Sequence, residues 1–389
     1  MTRGPQGQRV VQRVPGEPFE SFIPRPLPPT PALALNTTLH DLLEKANRAL
    51  GRLDGLSTLL PDRSLFLYFY VRKEAVLSSQ IEGTQSSISD LLMYESGESP
   101  HEPFDDVWEV SNYVAALNYG LERLRGGFPL SLRLIREIHG VLLAHGRGSE
   151  RTPGEFRRSQ NWIGGSRPGN ALFVPPPADE VVPCLGDLER FLHDEPERTP
   201  TLIKAALAHV QFETIHPFLD GNGRLGRLLI TFLLCAEGAL SEPLLYLSLF
   251  LKANRSAYYE LLQRVRTDGV WEEWLAFFLE GVVSTSEQAT DTARRILALF
   301  EADRGKIDRL GRVAISALRV HDLFRRRPLL TAPQIVQQLG LTTPTVHQAL
   351  SRLAEIGIVR ETTGRKRGRT FAYGTYLDIL SEGTDPLPV

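Results

Sequence analysis

Apolar positions fall mostly at helical spacing, with one interruption near the middle of the chain. From Leu35 onward, TLHDLLEKANRALGRLDGL keeps its apolar side chains on one face of a 3.6-residue period. DRSLFLYFYVRKEAVLSSQIEG is a more apolar helix that stops near Gly83. TQSSISDLLMYE places small hydroxyls before an apolar run and Asp90 in the first turn, so a further helix starts there. DVWEVSNYVAALNYGLERL and SLRLIREIHGVLLAH continue the pattern, with Ser131 the expected N-cap of the second. The period breaks at GEFRRSQNWIGGSRPGNALFVPPPADEV. There Asn161 to Ile163 and Ala171 to Val174 are short apolar runs around a glycine-rich turn, a pattern that predicts a β-hairpin. Helical spacing returns in VVPCLGDLERFLHDE, PTLIKAALAHVQFETI, RLLITFLLCAEG, YLSLFLKANRSAYYELLQRVR and WEEWLAFFLEGVVSTSEQATDTARRILALFEADR.

The two ends differ from this middle. Residues 1–32 are rich in proline, glycine and arginine and predict an extended arm over the surface. Beyond Gly311 the chain becomes a compact basic unit: a helix from Val313 to Phe324, another from Ala332 to Leu339, the turn GLTTPT, and a helix from Pro344 to Ile356. GIVRETTGRKRGRTFAY then reads as two strands around a basic glycine turn, which completes the order of a winged helix-turn-helix. The fold class expected is therefore mainly α, a helical bundle with a small β-hairpin and a C-terminal winged helix-turn-helix. The divisions expected are 1–32 as arm, 33–125 as an N-terminal helical region, 126–282 as the central domain, 283–310 as a connecting helix and 311–389 as the winged helix.

Composition changes this picture little. With 42% hydrophobic and 23% charged residues and a formal net charge of −2 over 389 residues, the chain has no global bias toward nucleic acid or membrane. Cys184 and Cys235 lie far apart and outside any C-x-x-C spacing, so neither a disulfide framework nor a cysteine-rich zinc site is indicated. No apolar leader and no run near the roughly 18 residues of a membrane span is present, so a soluble, cytoplasmic protein without membrane contact is expected. The sequons at Asn36 and Asn254 then count as chance matches.

The chemistry concentrates in HPFLDGNGRLGR, His216 to Arg227. Gly221, Asn222 and Gly223 form a permissive turn directly before an apolar helix, and a helix N-terminus with its unpaired N–H groups is a ready anion nest. Arg224 and Arg227 can converge on one charge with planar forks suited to phosphate oxygens. Asp220 supplies a hard oxygen suited to Mg²⁺ on a polyphosphate. His216 supplies an imidazole that titrates near neutrality, a usual general base. Each element alone is commonplace, since Asp-Gly-Asn-Gly is most often a turn and a lone histidine most often structural. Together they point to phosphate chemistry, while the P-loop and H-E-x-x-H patterns are missing.

The same stretch resembles the Fic family motif H-x-F-x-[DE]-G-N-G-R-x-x-R, with His216, Phe218, Asp220, Gly221, Asn222, Gly223, Arg224 and Arg227 in place. The resemblance implies the Fic fold and a protein adenylyltransferase that moves AMP from ATP to a Ser, Thr or Tyr hydroxyl of a target protein or of itself. It makes His216 the base, Asp220 the Mg²⁺ ligand, and the run Gly221, Asn222, Gly223, Arg224, Leu225, Gly226 and Arg227 the phosphate site. Gly223 stands where the related Doc kinases have Lys, which favours nucleotidyl transfer. The 161–174 segment resembles the family's flap, in which Asn161, Trp162, Ile163 and Gly164 would dock a target strand. ANRSAYYELL resembles the segment bordering the adenine, with Tyr258 and Tyr259 as candidate contacts.

SSQIEG matches the family's inhibitory pattern [ST]-x-x-x-E-[GN] through Ser78, Glu82 and Gly83, an i,i+4 pair with a glycine at the helix end. The resemblance implies that Glu82 competes with the ATP γ-phosphate for Arg227. Some relatives also use this glutamate to remove AMP, a choice the sequence leaves open. Family likeness also favours a homodimer. The competing reading is a transcription regulator in which the Fic-like part only senses nucleotide. Thr342, Thr343, Thr345, His347, Gln348, Ser351 and Arg352 would face a DNA groove, with Arg365, Lys366, Arg367 and Arg369 at a wing tip, unless the module contacts protein instead.

Overall fold

The computed structural model of the chain describes residues 3–12, 18–59, 63–95, 104–364 and 368–387. The N-terminal stretch is more ordered than an extended arm: β1 (Gly7–Gln12) and β2 (Phe19–Pro24) pair antiparallel, Gly7 opposite Pro24. Alternation explains the ribbon, because Phe22 is buried and its ring meets Phe173 at 5.9 Å while Val11 faces solvent.

Helix α1 (Thr37–Leu59) starts where the Asn36 side chain accepts the Leu39 N–H at 2.9 Å, and it runs along α11 (Trp271–Ile307). Helix α2 (Arg63–Ile81) is buried nearly all round from Phe69 onward and ends before Gly83, whose φ of 102° reverses the chain. Helix α3 (Ile88–Glu95) begins with a reciprocal cap: the Ser87 N–H donates to Asp90 Oδ2 at 3.0 Å and the Asp90 N–H to Ser87 Oγ at 3.2 Å. Helices α4 (Phe104–Arg125) and α5 (Leu132–Leu142) follow, the latter capped by Ser131 as its sequence predicts.

The bundle is completed by α6 (Val181–Leu192), α7 (Thr201–Ile215), α8 (Asn222–Ala236), α9 (Ser248–Ala253) and α10 (Arg255–Asp268). Helix α8 lies against α7, α4, α5 and α2, so the 216–227 motif opens a helix enclosed by the bundle. The expected hairpin is reduced to one bridge, Ile163 to Phe173, with a 3₁₀ turn at Pro168–Asn170. Gly164 and Gly165 both adopt positive φ and Pro168 removes a donor, which stops a ladder from forming. Its second run pairs elsewhere: the Phe22 N–H donates to the Val174 carbonyl at 2.9 Å.

The connecting helix expected over 283–310 is the second half of α11, one element of 37 residues. It leads to α12 (Ala314–Arg326), β3 (Leu329–Thr331), α13 (Ala332–Leu339), α14 (Thr343–Glu355), β4 (Arg360–Glu361), β5 (Thr370–Ala372) and α15 (Gly374–Ser381). The strands form an antiparallel sheet in the order β3, β5, β4, which is the winged helix-turn-helix order, and Thr342 caps α14. Arg365, Lys366 and Arg367 of the wing tip lie outside the described residues.

Candidate active site

Helix α7 stops at Ile215 because Pro217 disfavours helical geometry in the residue before it. His216 takes a left-handed conformation, φ 49° and ψ 60°, while its N–H still donates to the Phe212 carbonyl at 2.9 Å. That posture is costly for a residue with a Cβ and is held by a dense set of bonds. Arg157 Nε donates to the His216 carbonyl at 2.9 Å, and Asn161 Nδ2 donates to the carbonyls of His216 (3.2 Å) and Phe218 (2.8 Å). The Asn222 side chain closes the loop by accepting the Phe218 N–H and donating to the Phe218 carbonyl, both at 2.9 Å.

Beneath the loop Phe218 is fully buried and stacks on His139 at 3.7 Å between centroids. His139 Nδ1 accepts the Gly154 N–H at 2.8 Å, so Nε2 carries the proton donated to the Asp220 carbonyl at 3.0 Å. Burial lowers this imidazole to about 4 and keeps it neutral. His139 is a support of the loop that the sequence reading did not single out.

Gly221, with φ 75°, turns the chain into α8, and its N–H donates to Asp220 Oδ1 at 2.6 Å. The two motif arginines then part company. Arg224 is buried and its Nη1 donates to Glu109 Oε2 of α4 at 3.1 Å, with Asp220 Oδ1 at 3.7 Å. Arg227, also buried, donates Nε to Ser78 Oγ (2.8 Å) and Nη2 to the Ser78 carbonyl (3.0 Å) and to Glu82 Oε1 (2.7 Å). Burial pushes the Glu82 carboxyl up, but the Arg227 and Arg224 guanidiniums outweigh it and hold the group below its ordinary range. A Cβ on Gly223 would lie 2.2 Å from Glu82 Oε1, so the carboxylate rests directly on the first turn of α8, where an anion would sit.

Across the site, burial first and then the Arg266 and Arg157 cations depress the His216 imidazole to about 3. Its Nδ1 is buried without a hydrogen-bond partner. Arg266 is buried, donates to Thr214 Oγ1 and the Glu213 carbonyl at 3.1 Å each, and lies over the Phe173 ring at 4.0 Å.

The other sequence candidates spread over core and surface. Leu225 is core, and the Gly226 carbonyl is 3.0 Å from His209 Nδ1. Tyr258 is 1% exposed with its hydroxyl 2.8 Å from His209 Nε2, so its ring is packed away, whereas Tyr259 is 40% exposed. In the flap Trp162 is exposed, Ile163 makes the bridge to Phe173, and Asn161 is spent on bracing the loop. Glu109, Arg157 and Arg266 were not among the sequence candidates. The contacts that bring them to the site, Glu109 with Arg224, Arg157 with His216 and Arg266 with Thr214, each span at least 52 residues, beyond any local pattern.

Fold and site together define a helical protein in which Arg227, on the first turns of α8, is paired with a carboxylate just past the end of α2. Residues 40–122 match the Fic/DOC family N-terminal model, 129–234 the Fic/DOC family model and 316–363 the IclR helix-turn-helix domain. The protein adenylyltransferase Fic of Drosophila melanogaster is 28% identical over 232 residues, 58% of this chain and 43% of that protein. Its counterpart in Drosophila ananassae is 33% identical over 178 residues, 46% of this chain and 32% of that protein. The chain thus spans less than half the length of these relatives. A solved Fic family protein from Desulfovibrio desulfuricans G20 shares the fold, with TM-score 0.56, 21% identity, and coverage of 88% of this chain and 97% of that one. A Fic domain containing signaling protein from Bacteroides thetaiotaomicron gives TM-score 0.50 and 20% identity, covering 66% of this chain and 97% of the other. Residues 40–122 and 129–234 thus match a Fic/DOC family N-terminal region and a Fic/DOC family domain.

Proposed function

We propose that the protein is an adenylyltransferase that transfers AMP from ATP to a protein hydroxyl and is held in check by Glu82. The observation that carries this reading is the Arg227 fork at the start of α8, claimed by Ser78 and Glu82 in the place suited to phosphate. In the reaction the target hydroxyl oxygen forms a bond to the α-phosphorus, its proton passes to His216, the bond from the α-phosphorus to the bridging oxygen breaks, and pyrophosphate leaves. The first-turn N–H groups of α8 lack helical acceptors and are placed to receive phosphate oxygens. A triphosphate that occupies this nest must displace the Glu82 carboxylate, since both need the same guanidinium.

The donor set fits Mg²⁺ rather than a protein-caged metal. Among the described residues no cluster of three or more His, Cys, Asp or Glu could hold an ion, and Asp220 offers a single half-buried carboxylate, which suits a cation shared with substrate phosphates and water. Bound there, the ion would supply charge neutralisation on the phosphates.

Intact-mass measurement with Mg²⁺ and each nucleoside triphosphate in turn tests the reading. Glu82→Gly should gain AMP adducts from ATP, and adding His216→Ala should cut the rate by about 10²–10⁴-fold. Equal labelling with and without His216 would overturn it.

The winged helix supports a second role in partner contact. On α14 the side chains of Thr343, His347, Gln348, Ser351 and Arg352 are exposed, as is the cap residue Thr342, while Thr345 is half-buried. Duplex binding that weakens steeply with salt would favour DNA, and its absence would leave a protein-contact module.

A further inference from the structure

Two buried polar atoms on neighbouring turns beside the first turn of α8 have no hydrogen-bond partner. Glu213 lies on the last turn of α7, one turn before His216, and its carboxyl Oε1 has no hydrogen-bond partner. His216 Nδ1 has none either: it is 4.0 Å from Glu213 Oε2, and the Glu213 backbone carbonyl, which also favours a protonated imidazole, makes no hydrogen bond of normal geometry with it. The carboxylate has room beside α8 because position 226 is glycine: a Cβ there would come within 2.3 Å of Glu213 Oε1. A histidine that accepts a proton on Nε2 must carry its other proton on Nδ1, and an imidazolium Nδ1–H buried without an acceptor is strongly disfavoured. Resting on the adenylyltransferase reading, we propose that Glu213 is the positioning residue of His216. It fixes the Nδ1–H tautomer and closes onto that hydrogen as the imidazolium forms.

The surrounding groups are Arg227 and Glu82 on the nest side and Arg266 and Tyr258 from α10. Burial raises the Glu213 carboxyl to about 7, against the pull of Arg227 and Arg266. The positioning form is the carboxylate, so AMP transfer should climb as pH rises through about 7.

The test uses the full chain with Glu82→Gly, comparing Glu213→Gln and Glu213→Asp, with Gly226→Ala as a second way to displace the carboxylate. Glu213→Gln should lower kcat on the order of 10²-fold with KM for ATP little changed and the pH limb abolished, while Glu213→Asp should retain the limb. Imidazole ¹⁵N shifts provide a reading without activity: His216 should be the Nδ1–H tautomer in the parent and lose that preference in Glu213→Gln. An unchanged tautomer, or an unchanged limb, overturns the proposal. Absence of AMP transfer in the parent would instead overturn the adenylyltransferase reading and leave the shifts to decide on Glu213.

A separate set of contacts lies on the back of the same inhibitory turn. Gln80, between Ser78 and Glu82 in sequence, is buried, and its Nε2 donates to the Ser86 carbonyl (3.1 Å) and the Thr384 carbonyl (2.8 Å). Its Oε1 accepts Lys252 Nζ at 2.7 Å, and Lys252 also donates to the carbonyls of Gly383 and Asp385. Upstream, α15 packs on α2 through Phe69 and Tyr376, ring centroids 5.1 Å apart, and Glu382 pairs with Arg295 of α11. The geometry points to residues 382–385 as a strap that buttresses the end of α2 and sets how firmly Glu82 engages Arg227. Only Tyr373 lies between β5 and α15, so the strap also links the brake to the winged helix.

This second inference rests on the same functional reading. Lys252→Met and Gln80→Ala should raise AMP labelling several-fold when Glu82 is present and add nothing once Glu82→Gly has removed the brake. Amide hydrogen exchange over 78–83 should quicken in both variants, a signal independent of activity. Unchanged exchange, or equal stimulation with and without Glu82, would overturn the strap.

Discussion

The helical bundle around α8 and the winged helix handle charge in opposite ways. Around α8 the charged side chains Glu109, Arg157, Arg224, Arg227 and Arg266 are all nearly sealed from solvent, between 1% and 6% exposed. In the winged helix the interior is mainly apolar, built on Val320, Phe324, Ile335, Val346, Leu350 and Leu353 with a neutral His321 among them, and most polar side chains of α14 stand outside. A buried charge keeps a fixed direction and escapes salt screening, but each one must be paired before any substrate arrives. An exposed charge needs no partner and is available to whatever docks. The difference teaches that the first region fixes the direction of its charges, as the proposed anion site requires, while the second leaves its polar groups open to solvent.

The contrast breaks most visibly if a buried cation can be removed cheaply. Arg157→Met strips hydrogen bonds from the carbonyls of His216 and Pro176 and should cost about 2–4 kcal/mol in urea denaturation. A smaller effect sharpens it through pH. His139, His209 and His321 are each lowered to about 4, chiefly by burial, so the fold keeps them neutral where the unfolded chain binds protons. Stability is therefore lost as pH falls from about 6.5 toward 4, by about 1–2 kcal/mol per imidazole at pH 5. Denaturation at pH 7 and pH 5 should show that slope, and His209→Gln should reduce it. The smallest effect belongs to α14, where His347→Ala and Gln348→Ala should leave stability within about 0.5 kcal/mol by the same assay.

Local order made much of this readable in the sequence. Ser87 with Asp90 and Ser131 before its apolar run are caps whose partners lie three residues away, and they sit where the pattern puts them. The phosphate turn is compact for the same reason, since one dozen residues hold both its backbone nest and its arginines. The partner of each arginine was another matter. Arg224 meets Glu109 across 115 positions, and only packing of α4 on α8 brings them together. The N-terminal ribbon and the shortness of the hairpin were not legible, because proline and glycine content hid the contact between the Phe22 N–H of β2 and the Val174 carbonyl. The strap was silent as well, since Gln80 and Thr384 are 304 residues apart.

Helix α11 carries a consequence of its own. At 1.5 Å per residue its 37 residues measure about 55 Å, and they reach from the bundle beside α1 to the winged helix. Such a rod acts as a phase-keeper. Each residue added to its middle would advance the far end by about 1.5 Å and turn it by about 100°, swinging α14 and the strap out of register with α2. An inserted residue in its middle therefore disturbs the molecule more than a substitution on its exposed face.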